Sequence, residues 1–319
     1  MSRPHIEPYV DTAVEFRRLT LPGFPRGVHY KTLSVDDASG ACSLVVRFES
    51  GWKRPPGFSW SEMEFMLLSG EMRFGDRVVR PGHYLWVPAG VSLPAMEVSR
   101  GAQALLFYNY GEPSFEASAE DHDEASRAGL VELNAYDDMQ WVSGTRTPAV
   151  APGCFVKILR LDPLTKAYTF LYCMTPNFWQ DNISYHDCAE ESYHIWGTSW
   201  MMQFGELPTG GYFWRPPYIN HGAFASKLGC VALGRTDSEL YNWFHHNPWS
   251  TPAENASRAA ARLQRERPEL FKWVDTRGHN HPVDFDHPHG HDHGDAPHHH
   301  GDGNTGHRHV KRRKRGVRR

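Results

Sequence analysis

The sequence predicts an all-β chain made of two tandem copies of one small barrel or sandwich, followed by a helix and a polar tail. Three observations carry this. Short segments such as "YKTLSVD", "CSLVVRFES", "EFMLLSGEMRFG" and "YLWVPAG" alternate roughly in period two between Gly, Pro, Asn or Asp boundaries. Turn residues recur every eight to twelve positions, as in sandwiches and small barrels. An aromatic share of 13% adds strand-forming bulk.

The second copy is visible as a repeat at an offset of 126–128 residues. "GVHYKTLSVD" (27–36) aligns with "GCFVKILRLD" (153–162), and Trp52 aligns with Trp179. Glu64 to Gly70 in "EFMLLSG" aligns with Glu191 to Gly197 in "ESYHIWG", and Gly82 and Pro88 align with Gly210 and Pro216. A period of this length marks a duplicated domain rather than a solenoid. The expected division is 1–112 for the first copy, 113–129 for a polar, acidic linker with a short helical stretch, and 130–249 for the second copy. A helix over 250–275 follows, with Ser250 or Thr251 to cap it and Pro252 at its first turn. Residues 276–319 are His-rich and then basic. They hold too little apolar surface to offset the entropy of ordering, so they are expected to be disordered.

Composition narrows the function classes. The net charge is −3, with a basic block, "VKRRKRGVRR", at the C-terminal end. That block alone does not make a nucleic-acid-binding fold, and none is expected. The five cysteines form no CxxC pair, which argues against a disulfide framework or a thiolate zinc site and for a reducing compartment. Lacking a signal-peptide run or eighteen consecutive apolar residues, the chain reads as soluble, cytoplasmic and free of membrane spans.

Two stretches carry candidate metal chemistry. "SYHDCAEESYHIWG" (184–197) holds His186, Glu190, Glu191 and His194, and "GGYFWRPPYINH" (210–221) ends on His221. Their spacing resembles the paired motifs of the cupin superfamily, which are similar to "HxHxxxxE…G" and "GxxxxxPxGxxH". The resemblance spans most of both copies. It implies two tandem double-stranded β-barrel (cupin or jelly-roll) domains, with a divalent Fe, Mn, Ni or Zn ion inside a barrel. On this resemblance His186, Glu191 and His221 fall at ligand positions. Ser184 stands where a further histidine would be, and Tyr218 stands at the turn glycine. Gly197 is one residue closer to Glu191 than the pattern asks, which leaves Glu190 as an alternative. Adjacent strand residues face opposite sides, so only one of the two glutamates points inward. Glu191 is preferred because it aligns with Glu64 and keeps the four-residue gap after His186. If Glu190 faces inward, parity brings Ser192 and His194 with it.

Two histidines and one carboxylate resemble a facial triad, a set that leaves positions open for substrate and dioxygen. The expected function is therefore a mononuclear metal-dependent oxygenase acting on a small organic molecule. The alternatives are a redox-neutral lyase or isomerase and a non-catalytic bicupin that binds a ligand or metal. Tyr193 fits an "ExY" pattern similar to that of cupin lyases that cleave dimethylsulfoniopropionate, making it a candidate base. In the first copy Ser59 and Leu93 stand where His186 and His221 stand, so that barrel is expected to be metal-free. The expected partners are the small-molecule substrate, further metal ions on the histidine-rich tail, and a second copy of the chain, since cupins associate through their sheets.

Overall fold

A computed structural model describes residues 3–144, 152–180 and 183–245, together with Ala261, Gln264, Arg265 and Pro268, which are helical. The rest of the predicted helix 250–275 and the tail 276–319 lie outside the described residues.

Twelve strands make the framework, six per copy. In the first half they are β1 (Ile6–Val10), β2 (Val28–Val35), β3 (Cys42–Phe48), β4 (Glu62–Phe74), β5 (His83–Val87) and β6 (Met96–Asn109). The second half repeats them as β7 (Val131–Asn134), β8 (Cys154–Leu161), β9 (Tyr168–Met174), β10 (Glu190–Gly197), β11 (Gly211–Arg215) and β12 (Cys230–Thr236). The first large sheet runs β7-β5-β4-β6-β3-β2 and the second runs β1-β11-β10-β12-β9-β8, with every neighbour antiparallel. Smaller sheets complete each jelly roll, and the sheets do not close into one continuous barrel.

The expected division at 112 and 130 is corrected at one point. Sheet membership does not follow sequence order, because β1 pairs with β11 of the second copy while β7 pairs with β5 of the first. Each copy lends its leading strand to the other. Both strands are short edge strands, and backbone pairing alone does not say which sheet edge such a strand will extend. The linker carries a 3-10 turn over Glu124–Gly129, whose N-cap Asp123 accepts from the Ala125 amide at 3.1 Å.

Strand alternation sorts the side chains onto two faces. In β4, Phe65 and Leu67 enter the interior of the first copy, while Met66 faces the seam between the two large sheets. In β11, Tyr212 and Trp214 also face the seam, as does Tyr193 of β10. Among the described residues the buried apolar clusters fill the first copy's interior and this seam. The second copy mixes buried apolar residues such as Phe178, Met201 and Phe213 with buried polar ones, among them His186, Ser192, His194, Arg215 and His221.

The repeated glycines Gly70 and Gly197 have the same cause. Both have positive φ, at 83° and 79°. A Cβ there would stand 2.4 Å from Gly101 O and 2.2 Å from Gly229 O, so only glycine lets the neighbouring strands approach.

Candidate metal centre

The site is assembled from three places on the second copy. His186 follows the short strand Ile183–Tyr185, Glu190 opens β10, and His221 lies beyond the turn after β11. A bridge between Ser184 and His221 draws the two histidine segments together, with Ser184 N donating to His221 O at 2.9 Å and His221 N donating back at 2.8 Å. The turn between them is tight. Tyr218 takes φ 71°, where its repeat partner is Gly90 at φ 77°, and its amide donates to His186 O at 2.7 Å. Tyr218 thus tolerates a left-handed backbone at a cost of roughly 1–2 kcal/mol.

The donor atoms converge. One ligand atom each from His186, Glu190 and His221 lies within 4.8 Å of the others. His186 Nε2 is 2.9 Å from His221 Nε2 and 3.6 Å from Glu190 Oε2. Metal bonds of about 2.0–2.2 Å to imidazole and carboxylate place neighbouring donors roughly 3 Å apart, so the spacing suits one ion.

The hydrogen bonds fix the histidine tautomers. His221 Nδ1 lies 2.9 Å from Ile219 O, and His186 Nδ1 lies 3.2 Å from Tyr241 O. A carbonyl only accepts, so each Nδ1 carries a proton, and in the neutral ring each Nε2 keeps its lone pair. Two lone pairs then face each other across 2.9 Å. Protonation of His221 is opposed, since burial above all, then His186 and Arg215, push its pKa well below the usual value. A cation accepting both lone pairs satisfies this arrangement, with the two carbonyls as outer partners that orient the rings.

The carboxylate preferred from sequence is corrected. Glu190 faces the histidines, and Glu191 does not. The pleat turns Glu191 to the seam, where it is 1% exposed and accepts from Ser43 Oγ at 2.6 Å and Tyr212 OH at 2.7 Å. Arg3 and Arg235 pair with it there. Its repeat partner Glu64 sits in the same seam, accepting from Tyr84 OH and Thr169 Oγ1, each at 2.6 Å, and pairing with Arg235 at 2.7 Å. The alignment of Glu191 with Glu64 therefore marks seam residues, not ligands.

His194 shares the inward face with Glu190, but its Nε2 is 2.8 Å from Ser199 Oγ and burial lowers its pKa to about 4. It is not among the converging donors. Tyr193, the candidate base, faces the seam, donates to Asp11 Oδ2 at 3.0 Å and has its pKa pushed up by burial and then by Asp11. It does not share the histidines' face. In the first copy the bridge Gly57–Leu93 repeats Ser184–His221, and Ser59, Met63 and Leu93 occupy the three ligand positions. The sequence reading passed over Arg3, Arg215 and Arg235. A lone arginine inside the aromatic run "YFWRPP" and another in "LGRTD" were the available signals.

Two exchanged jelly rolls of cupin-like fold make up the chain, with His186, Glu190 and His221 converging in one and no counterpart of that set in the other. The chain belongs to the family described as Domain of unknown function (DUF4437), whose model matches residues 25–243. No curated protein matches the sequence. A crystal structure from Nostoc punctiforme, provisionally named a dioxygenase, is similar in fold with a TM-score of 0.69 at 18% identity, covering 75% of this chain and 86% of that one. Oxalate decarboxylase from Bacillus subtilis gives 0.49 at 15% identity, covering 87% of each chain. The 7S globulin of Momordica charantia gives 0.50 at 10%, covering 75% of this chain and 86% of that one. At these identities the likeness is one of fold. Among the described residues no helix is long and apolar enough to cross a membrane.

Proposed function

We propose that the second copy holds one divalent metal ion on His186, Glu190 and His221 and that the protein is an oxygenase acting on a small organic molecule. The observation that carries the metal reading is the facing pair of Nε2 lone pairs, each fixed by an Nδ1 bond to a backbone carbonyl. A bound ion would supply open coordination positions for substrate and dioxygen, as three-ligand sites of this composition do. The protein's part is to hold both rings in the ligating tautomer and to place one carboxylate beside them. The first copy, its interior packed with apolar side chains, acts as a structural partner. The oxygenase reading is in keeping with the name of the Nostoc protein, and Fe, Mn, Ni and Zn all suit the donor set.

Metal content tests the site. The wild-type chain should carry one tightly held equivalent more than His221→Ala, any ions on the histidine-rich tail being common to both. Equal content in the two would remove the assignment. Oxygen uptake that needs the loaded site and disappears in His221→Ala supports an oxygenase, whereas product formed without oxygen uptake supports a redox-neutral lyase or isomerase.

A further inference from the structure

Arg215 is buried beside the candidate metal centre with donors left over. It ends β11 and stands opposite Glu190 in the β10–β11 register, so both side chains project from the same face of the sheet into the second copy. It is 1% exposed. Its guanidinium lies 4.2 Å from the Phe213 ring centroid and 5.0 Å from that of Phe204, and Nη2 is 3.3 Å from Met201 Sδ, a weak acceptor. Neither Nε nor Nη1 has a hydrogen-bond partner. A guanidinium cannot lower its desolvation cost by losing its proton, so buried unpaired donors on it call for an acceptor.

The acidic groups nearby do not meet that need. Glu190 points its carboxylate to His186. Glu7 Oε1 lies 3.1 Å from His5 Nε2, and Glu7 Oε2 is itself without a partner. With a divalent ion in place, the ion and Arg215 face Glu190 and Glu7, which leaves one positive charge over. A neutral substrate leaves that excess buried. A monoanion removes it and also supplies the missing acceptor.

We infer that Arg215 anchors the carboxylate of a small monoanionic substrate next to the metal centre. The inference rests on the metal reading above and names its substrate class. Arg215 is an anchoring group here, placed by the phenylalanines and the strand register. Charge-assisted bonds from arginine to a carboxylate are among the stronger polar contacts, and lysine reproduces the charge but not the planar donor set.

The test uses the full chain loaded with cobalt(II), whose visible absorption reports on the ion's ligands. The band lost in His221→Ala belongs to the barrel site. Glycolate and its neutral isostere glycolamide are then titrated against that band. Glycolate should bind at least about tenfold more tightly than glycolamide. Arg215→Gln should weaken glycolate by about tenfold or more while leaving the cobalt band and the glycolamide titration unchanged, with Arg215→Lys between the two. A glycolate affinity in Arg215→Gln within about twofold of wild type overturns the inference, as does equal binding of glycolate and glycolamide. Should Arg215→Gln fail to load cobalt, Arg215→Lys and the wild-type preference for glycolate decide by the same criteria. A wild-type chain with no band sensitive to His221→Ala overturns the metal reading instead.

Discussion

Glu190 and Glu191 are neighbours in the chain and serve different structures. A strand turns successive side chains to opposite faces, and here one face is the candidate metal centre and the other the seam. Glu190→Gln should therefore abolish the tight metal equivalent and leave the unfolding of the metal-free protein nearly unchanged. Glu191→Gln should keep the metal but cost about 3 kcal/mol, since Arg3 and Arg235 would lose a buried counter-charge. Metal analysis and denaturant unfolding on the two variants check this. The reverse pattern would restore the ligand set expected from sequence. That His186 and His221 lie close together was legible from the paired motifs they resemble. The carboxylate was not, because the repeat alignment rewarded the residue that both copies need at the seam. Arg215 was hidden for a related reason: an arginine at the end of an aromatic strand reads as a solvent-facing residue until its face is known.

At the scale of elements, the seam is a paired polar layer within an apolar one. Glu64 takes a hydroxyl from Tyr84 of its own copy and one from Thr169 of the other, and Glu191 does the same with Tyr212 and Ser43. Arg235 bridges both carboxylates and lies 4.3 Å over the ring of Phe107, the residue at its own position in the first copy. Burial alone would raise both carboxyls, but Arg235 beside Glu64, and Arg3 with Arg235 beside Glu191, hold them below the ordinary 4.5. A lowered folded-state pKa contributes stability above the unfolded value, and that stability is lost as pH falls through the folded value. Acid unfolding should accordingly begin below about pH 4.5 in wild type. Arg235→Ala should cost about 3–5 kcal/mol at neutral pH and make stability less dependent on pH below about 4.5, because carboxyls without that counter-charge no longer resist protonation in the folded state. Denaturant unfolding followed by circular dichroism at pH 7 and pH 4 measures both, and an unchanged pH dependence in Arg235→Ala would deny the bridge its role. Most of these strands were legible from period-two patterning and turn residues. Their partners were not, since hydrogen-bonded edges carry no side-chain label, and the leading strand "IEPYV" is too short to declare which sheet it extends.

At the scale of the molecule, the exchange of β1 and β7 makes each copy incomplete without the other. Residues 1–120 and 121–319 produced separately should each expose an open sheet edge and carry an unplaced strand, so each should self-associate or remain insoluble. Produced together, they should form a one-to-one complex on size-exclusion chromatography. A monomeric, folded fragment 1–120 would show the exchange to be dispensable. The duplication itself was legible from Glu64-to-Gly70 and its counterpart, since a repeated backbone constraint leaves a repeated glycine.

The same exchange carries a historical reading. Two equivalent units that lend each other a leading strand across a shared face describe a swapped homodimer, and here both partners lie on one polypeptide. Joining them end to end would have released each from the identity that symmetry imposes on separate subunits. One half fills its interior with Met63 and Leu93, while His186 and His221 converge in the other. The common face could not diverge so freely, because a change on either side is felt by both halves. That is where Glu64 of one half and Glu191 of the other share Arg235.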